Sequence, residues 1–431
     1  MELNSYNRPQ RAEWQRLQQR GISDTSQVSD IVSRIISDVA ERGDDAVLEM
    51  ERRFGCPQLS DIRVSEAEFE EAEAMVSESL KQSLNVAATN IHRFHRAQLM
   101  QPIEVETMPG IVCRQKAVAI SDVGLYIPGG NSPLYSTVLM LAIPAKIAGC
   151  SRIAMCSPAG KDGKIHPAIL YAARLTGVTE VYKTGGAQAI AAMAIGTATV
   201  KKVNKIFGPG NRFVMEAKQQ VSAKGVAIDM PAGPSEVMII ADNSANATFV
   251  AADFLSQSEH GPDSQSVLLT TDESFASEVK VEIERLLSTL PRQEMIASSL
   301  SKSRIIILRN DDEMMAFANE YAPEHLIIAH RHYNDLAEKV ENAGSVFLGN
   351  YACESAGDYA SGTNHTLPTS GYAKAFSGVN IDSFTKKITF QTITADGIAN
   401  LGQTIATLAE GEDLMAHRLA ATVRMEYVKR L

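Results

Sequence analysis

The chain contains no Cys-x-x-Cys pair, no basic run and no apolar stretch long enough to span a bilayer. Its five cysteines (Cys56, Cys113, Cys150, Cys156 and Cys353) are odd in number and scattered. They suit a reducing cytosol and argue against a disulfide framework or a thiolate zinc site. The most apolar run, Val138 to Ile143, is broken by Pro144 and Lys146, so no membrane partner is expected. Met1 to Gln19 is polar and mixed in charge, without the apolar core of a signal peptide, and a cytoplasmic location is expected. A formal net charge of −10, with no basic stretch to offset it, argues against a nucleic-acid partner. No Gly-x-Gly-x-x-Gly stands at a strand-to-helix turn, so dinucleotide binding cannot be claimed from that fingerprint.

What is present is alternation. At 431 residues the chain is too long for one ordinary core, and two domains with appendages are expected. From Asp122 to Asp242 short apolar strands (Val123 to Ile127, Arg152 to Cys156, Glu180 to Lys183, Lys205 to Phe207) alternate with helical stretches, the signature of βαβ units. The pattern resumes after Ser244, with strands at Ser266 to Thr270, Arg304 to Leu308, Leu326 to Ala329 and Ser345 to Leu348. The expected fold is therefore α/β: two Rossmann-like open parallel-sheet globules, 122–237 and 238–381. A helical N-terminal region (1–121), expected to pack with the second globule, precedes them, ending in a hairpin that turns at Pro109-Gly110. A C-terminal tail (382–431) follows, with one strand and two helices and little core of its own. Such a tail is expected to dock elsewhere, on another subunit.

Three glycine-rich turns fall at strand ends, where open α/β sheets bind ligands: Gly129-Gly130-Asn131, Gly185-Gly186-Ala187-Gln188 and Gly208-Pro209-Gly210-Asn211. Main-chain amides at such turns can cradle a pyrophosphate, and tight turning alone explains the glycines equally well. Two further segments carry a His amid carboxylates or amides. Read as a helix, the first puts Val250, Phe254 and Gln257 on one apolar line with His260 one turn on, and Gly261-Pro262 stops it. The last helix aligns Leu414, His417, Ala421, Met425 and Val428. Buried polar side chains need partners. The spacing suits metal ligands and suits core histidines bonded to nearby backbone just as well.

Taken in order, the motifs resemble the histidinol dehydrogenase family from about Asp30 to the C-terminus. They are Gly124-Leu125-Tyr126-Ile127-Pro128-Gly129-Gly130, Gly185-Gly186-Ala187-Gln188-Ala189-Ile190-Ala191-Ala192 and Ile206-Phe207-Gly208-Pro209-Gly210-Asn211. Then come Asp229-Met230-Pro231-Ala232-Gly233-Pro234-Ser235-Glu236-Val237 and Gln257-Ser258-Glu259-His260-Gly261-Pro262-Asp263-Ser264-Gln265. Ala322-Pro323-Glu324-His325-Leu326 and Gly362-Thr363-Asn364-His365-Thr366-Leu367-Pro368-Thr369 complete the set.

The resemblance implies oxidation of histidinol to histidine through the aldehyde, with two NAD⁺ and one zinc per subunit. It implies zinc on Gln257, His260, Asp358 and His417, and NAD contacts at Tyr126, Gln188 and Asn211. Substrate contacts fall to Ser235, His325 and Glu412 and, around the metal, to Gln257, His260, Asp358 and His417. It also implies a homodimer in which the tail brings Glu412 and His417 into the neighbour's site.

Nitrogen and oxygen ligands without thiolate suit a catalytic zinc, and the amine and imidazole of histidinol suit chelation. Of the adjacent pair, His325 is the expected base for the alcohol proton and Glu324 the expected activator of water for the aldehyde step. None of the cysteines follows a glycine-rich helix start that would lower its pKa, so a thiol nucleophile is not expected. An open zinc site beside a Glu would also serve a hydrolase, and a binding protein without activity is the third reading. NADH absorbance with histidinol and NAD⁺ separates them.

Overall fold

The computed structural model describes residues 3–20, 26–129 and 132–430. It divides into two compact units, one of residues 1–97 and 120–384, the other of residues 98–119 and 385–431.

The first unit carries two parallel sheets. The five-stranded sheet runs in the order Glu180–Lys183, Arg152–Ser157, Asp122–Tyr126, Lys205–Phe207, Ala227–Ile228. The six-stranded sheet runs Asn4–Asn7, Arg304–Ile307, Gln265–Thr270, Glu236–Ala241, His325–Ala329, Ser345–Leu348. Leaving aside the edge strand Asn4–Asn7, both follow one winding: two strands added on one side of the first, then two on the other. Each sheet therefore has a topological switch point beside its first strand, the place where open sheets of this kind form a crevice. These switch points lie between Asp122–Tyr126 and Lys205–Phe207, and between Glu236–Ala241 and His325–Ala329.

The strands form because they are unbroken apolar runs with both faces covered. Val237, Met238, Ile239 and Ile240 are fully buried, as are Val267, Leu268 and Leu269 beside them. The strand Glu236–Ala241 spans the expected junction at 237/238 and lies at the centre of the second sheet. The helix Ala247–Ser258 starts at an Asn246 cap and buries Val250, Phe254 and Gln257 together. It ends at Ser258, before Gly261-Pro262, so Gln257 lies on it as expected while His260, expected one turn further along it, lies beyond its end and is exposed. The N-terminal region is largely helical, and Asn4–Asn7 adds a strand that its polar sequence does not announce.

In the second unit the hairpin Ile103–Met108 and Ile111–Ala119 turns at Pro109-Gly110 and pairs antiparallel with Thr385–Ile393. Helices Ala395–Gly411 and Met415–Val428 pack closely on each other, with Gly402 seated against Met425. Ile398, Ala406, Ala409 and Ala421 are buried, while Leu408, Leu414, Met415, Leu419, Val423 and Tyr427 are exposed. No helix among the described residues is long and apolar enough to cross a membrane.

Candidate active site

The amino-terminal ends of two adjacent strands at the second switch point carry Glu236, Glu324 and His325. Parallel register sets His325 opposite Val237, so Glu324 falls beside Glu236. Glu324 and His325 are both buried. The Glu324 carboxylate accepts the Glu236 N–H at 2.9 Å. His325 Nδ1 lies 3.3 Å from the Glu236 carbonyl and 3.7 Å from Glu324 Oε2. A carbonyl can only accept, so this contact puts a proton on Nδ1. Nε2 then faces Asp358 Oδ1 at 3.4 Å, an ion-pair distance, without the alignment of a hydrogen bond.

Asp358 comes from the short helix Glu354–Tyr359, which also supplies the buried Glu354. Donor atoms of His260, Glu354 and Asp358 lie within 4.8 Å of one another, a spacing that suits a single metal ion. Oriented by its partners, the fully buried Gln257 amide donates to Glu354 and accepts the Glu236 N–H at 2.5 Å. His365 ties this cluster to the helix Tyr135–Ala148. Its Nδ1 donates to the Asp358 carbonyl at 2.8 Å, and its Nε2 lies 3.1 Å from the Thr137 hydroxyl.

Burial and charge compete here. Desolvation pushes Glu324 up to about 7 and Glu354 up to about 8. For His325, burial alone would lower the pKa. The surrounding Glu324, Glu354 and Asp358 outweigh it and bring the ring to about 10. Asp358 moves the other way, held down against burial by His325. Three carboxylates around two imidazoles form a site suited to a cation.

At the first switch point the glycine turns gather around Tyr126. Gly208 has φ +128°, and a Cβ there would run into the Tyr126 carbonyl. The turn is pinned from below: the Gly208 N–H donates to Asp229 at 2.8 Å and its carbonyl accepts from Lys218 at 2.9 Å. Lys218 and Asp229 form a buried ion pair. A Cβ on Gly185 would sit 2.7 Å from Pro158. The Gly185 N–H, Thr184 hydroxyl and Gln188 amide all donate to buried Glu51 at 2.8 Å. The Tyr126 hydroxyl accepts the Gly186 N–H at 3.1 Å, and Asn211 caps the helix Arg212–Ala223. Gly130 and Asn131 of the first turn lie outside the described residues. A cavity of about 630 Å³ opens beside Gly129 and Pro158, lined also by Phe54, Ala72 and His166. It is lined by none of the residues around His325.

Of the residues singled out in the sequence, Gln257, His260, Glu324, His325 and Asp358 come together. Tyr126 and Gln188 meet at Gly186, and Asn211 follows the Gly208 turn. Ser235 precedes Glu236 and is half-buried. Glu412 and His417 lie on the second unit, both exposed. The sequence reading missed Glu354, His365 and Glu236, although the last two stand inside the motifs quoted above.

A family model described as histidinol dehydrogenase matches residues 18–425. The histidinol dehydrogenase of Bacteroides fragilis is 54% identical over 430 residues, covering 100% of both chains. That of Salmonella typhimurium is 50% identical, covering 95% of this chain and 94% of its own. The crystal structure of histidinol dehydrogenase from Elizabethkingia anophelis superposes with a TM-score of 0.97 at 49% identity, covering 99% of each chain. A dehydrogenase by these measures, the chain belongs to the histidinol dehydrogenase family.

Proposed function

We propose that this enzyme oxidises L-histidinol to L-histidine through histidinaldehyde in the cytoplasm, as a homodimer with one zinc ion per subunit and two NAD⁺ consumed. The observation that carries the reading is the convergence of His260, Glu354 and Asp358 beside His325, whose Nε2 faces Asp358 at 3.4 Å. The names of the full-length relatives supply the substrate.

The donors fit the metal. Gln257, His260 and Asp358 from one chain, with His417 from a second copy, would hold it through oxygen and nitrogen alone. Tyr126, Gln188 and Asn211, around turns that a Cβ would block, fit the nicotinamide cofactor. When bound, zinc would supply a template for the amine and imidazole of histidinol, and each NAD⁺ would accept one hydride.

The remaining work falls to the chain. Ser235 and, from the second copy, Glu412 orient the substrate. His325 is held through Nδ1 by the Glu236 carbonyl, which leaves Nε2 as its proton-accepting atom. It takes the alcohol proton as hydride leaves the carbon. Glu324 then takes a proton from the water that adds to the aldehyde, and the hydrate yields the second hydride and the carboxylate. Burial keeps Glu324 near 7, where it can hold and release a proton.

His260→Asn tests the metal reading. Zinc content, measured on the purified variant, should fall and turnover vanish while circular dichroism is unchanged. Full zinc with normal turnover would refute the ligand assignment.

A further inference from the structure

Glu236 is a buried carboxylate for which the proposed reaction has no direct use. It is 2% exposed, at the first position of the central strand of the second sheet. Such a group costs desolvation unless it is paired. Here it is clamped from outside: Arg20 Nε donates to Oε2 at 2.7 Å, and the Ser370 N–H donates to Oε1. Arg20 is itself fixed, with Nη2 donating to the Tyr321 carbonyl at 2.7 Å and its guanidinium 3.8 Å over the Tyr321 ring.

The main chain of the same residue meets three site residues. Its N–H donates to Glu324 at 2.9 Å, its carbonyl faces His325 Nδ1 at 3.3 Å, and the oriented Gln257 amide accepts the same N–H at 2.5 Å. A displacement of residue 236 therefore moves the carboxylate that activates water and the imidazole that takes the proton together. An apolar side chain would fill the volume, but it would give Arg20 and Ser370 nothing to hold.

We propose that Glu236, locked by Arg20, is the positioning residue of the Glu324–His325 pair. The ion pair holds the residue-236 main chain where its N–H orients the Glu324 carboxylate and its carbonyl keeps His325 Nε2 turned toward Asp358. Arg20 thus acts on the chemistry through one residue without touching substrate. This rests on the assignment of Glu324 and His325 as the acid–base pair.

The test is steady-state kinetics on the zinc-loaded enzyme with histidinol and NAD⁺, comparing Arg20→Met, Arg20→Lys and Glu236→Gln with Glu324→Gln and His325→Asn. Misplacement of reacting groups by about an ångström costs on the order of a hundredfold in rate. Arg20→Met and Glu236→Gln should lower kcat by about tenfold to a hundredfold while KM for histidinol stays within about twofold. Arg20→Lys keeps the charge and loses the forked geometry, so it should recover part of the kcat that Arg20→Met loses. Arg20 has a side chain 24% exposed, so Arg20→Met decides the matter even where Glu236→Gln does not fold. If both variants melt earlier yet keep wild-type kcat, the pair only holds the fold and the proposal is overturned. A Lys variant no better than Met would overturn it as well. Wild-type activity in Glu324→Gln and His325→Asn would remove the assignment underneath, and the proposal with it.

Discussion

The proposed division of labour between Glu324 and His325 follows from the strand beginning between them. His325 is the first residue of its strand and is held through Nδ1, which leaves Nε2 facing the carboxylates. Glu324, one residue earlier, is bound by the Glu236 N–H and kept near 7 by burial. Glu324→Gln should therefore impair oxidation of histidinaldehyde far more than oxidation of histidinol, since only the later step needs activated water. His325→Asn should fall hardest on the alcohol step. Losing a general base costs roughly a hundredfold to ten-thousandfold, so rapid-quench rates for each substrate will show the split. Equal losses in both steps for both variants would end this division of labour. Gln257 is legible in the sequence because helical spacing sets it on the buried side of an apolar line, whereas His260 lies past the end of that helix and is exposed. Glu354 is not legible: it lies in a helix of 6 residues, too short for a periodic signal, and it joins the site only through the fold. His365 acts through the main chain of Asp358, a contact that no spacing encodes.

At the scale of elements, the two sheets share a winding and use opposite ends of it. The first gathers its glycine turns at the carboxyl ends of its strands, as open sheets do. The second places Glu236, Glu324 and His325 at the amino ends. Gly208→Ala tests the first arrangement. The added methyl meets the Tyr126 carbonyl and φ +128° strains any Cβ, so the turn must shift. KM for NAD⁺ should rise by about tenfold or more, equivalent to about 1.4 kcal/mol of lost cofactor binding, while zinc content stays unchanged. An unchanged KM would take the turn out of the cofactor site. Most of these elements are readable from sequence, since buried parallel strands are continuous apolar runs bounded by glycine and polar turns. Asn4–Asn7 escapes because an edge strand is held by main-chain pairing with Arg304–Ile307 and needs no apolar signal. Glu236–Ala241 escapes because it begins on a buried charge, directly after Pro231 to Pro234.

At the scale of the whole molecule, the tail raises the question of how many chains make one site. Its two helices bury small residues against each other and leave Leu408, Leu414, Met415, Leu419, Val423 and Tyr427 exposed, an apolar surface that suits a second copy of the chain. If Glu412 and His417 complete a neighbour's site, mixing inactive His417→Asn with inactive His260→Asn should restore activity. One site of each heterodimer then collects both defects and the other none, so up to about half of the heterodimer's sites recover. Proven heterodimers that stay silent would assign the tail to its own subunit. Counting NADH formed per histidinol is the test of the proposed four-electron oxidation. The zinc-loaded enzyme, given limiting histidinol and excess NAD⁺, should form two NADH for each histidine produced, with no aldehyde accumulating. One NADH per histidinol with free histidinaldehyde, or no NADH at all, would contradict the account.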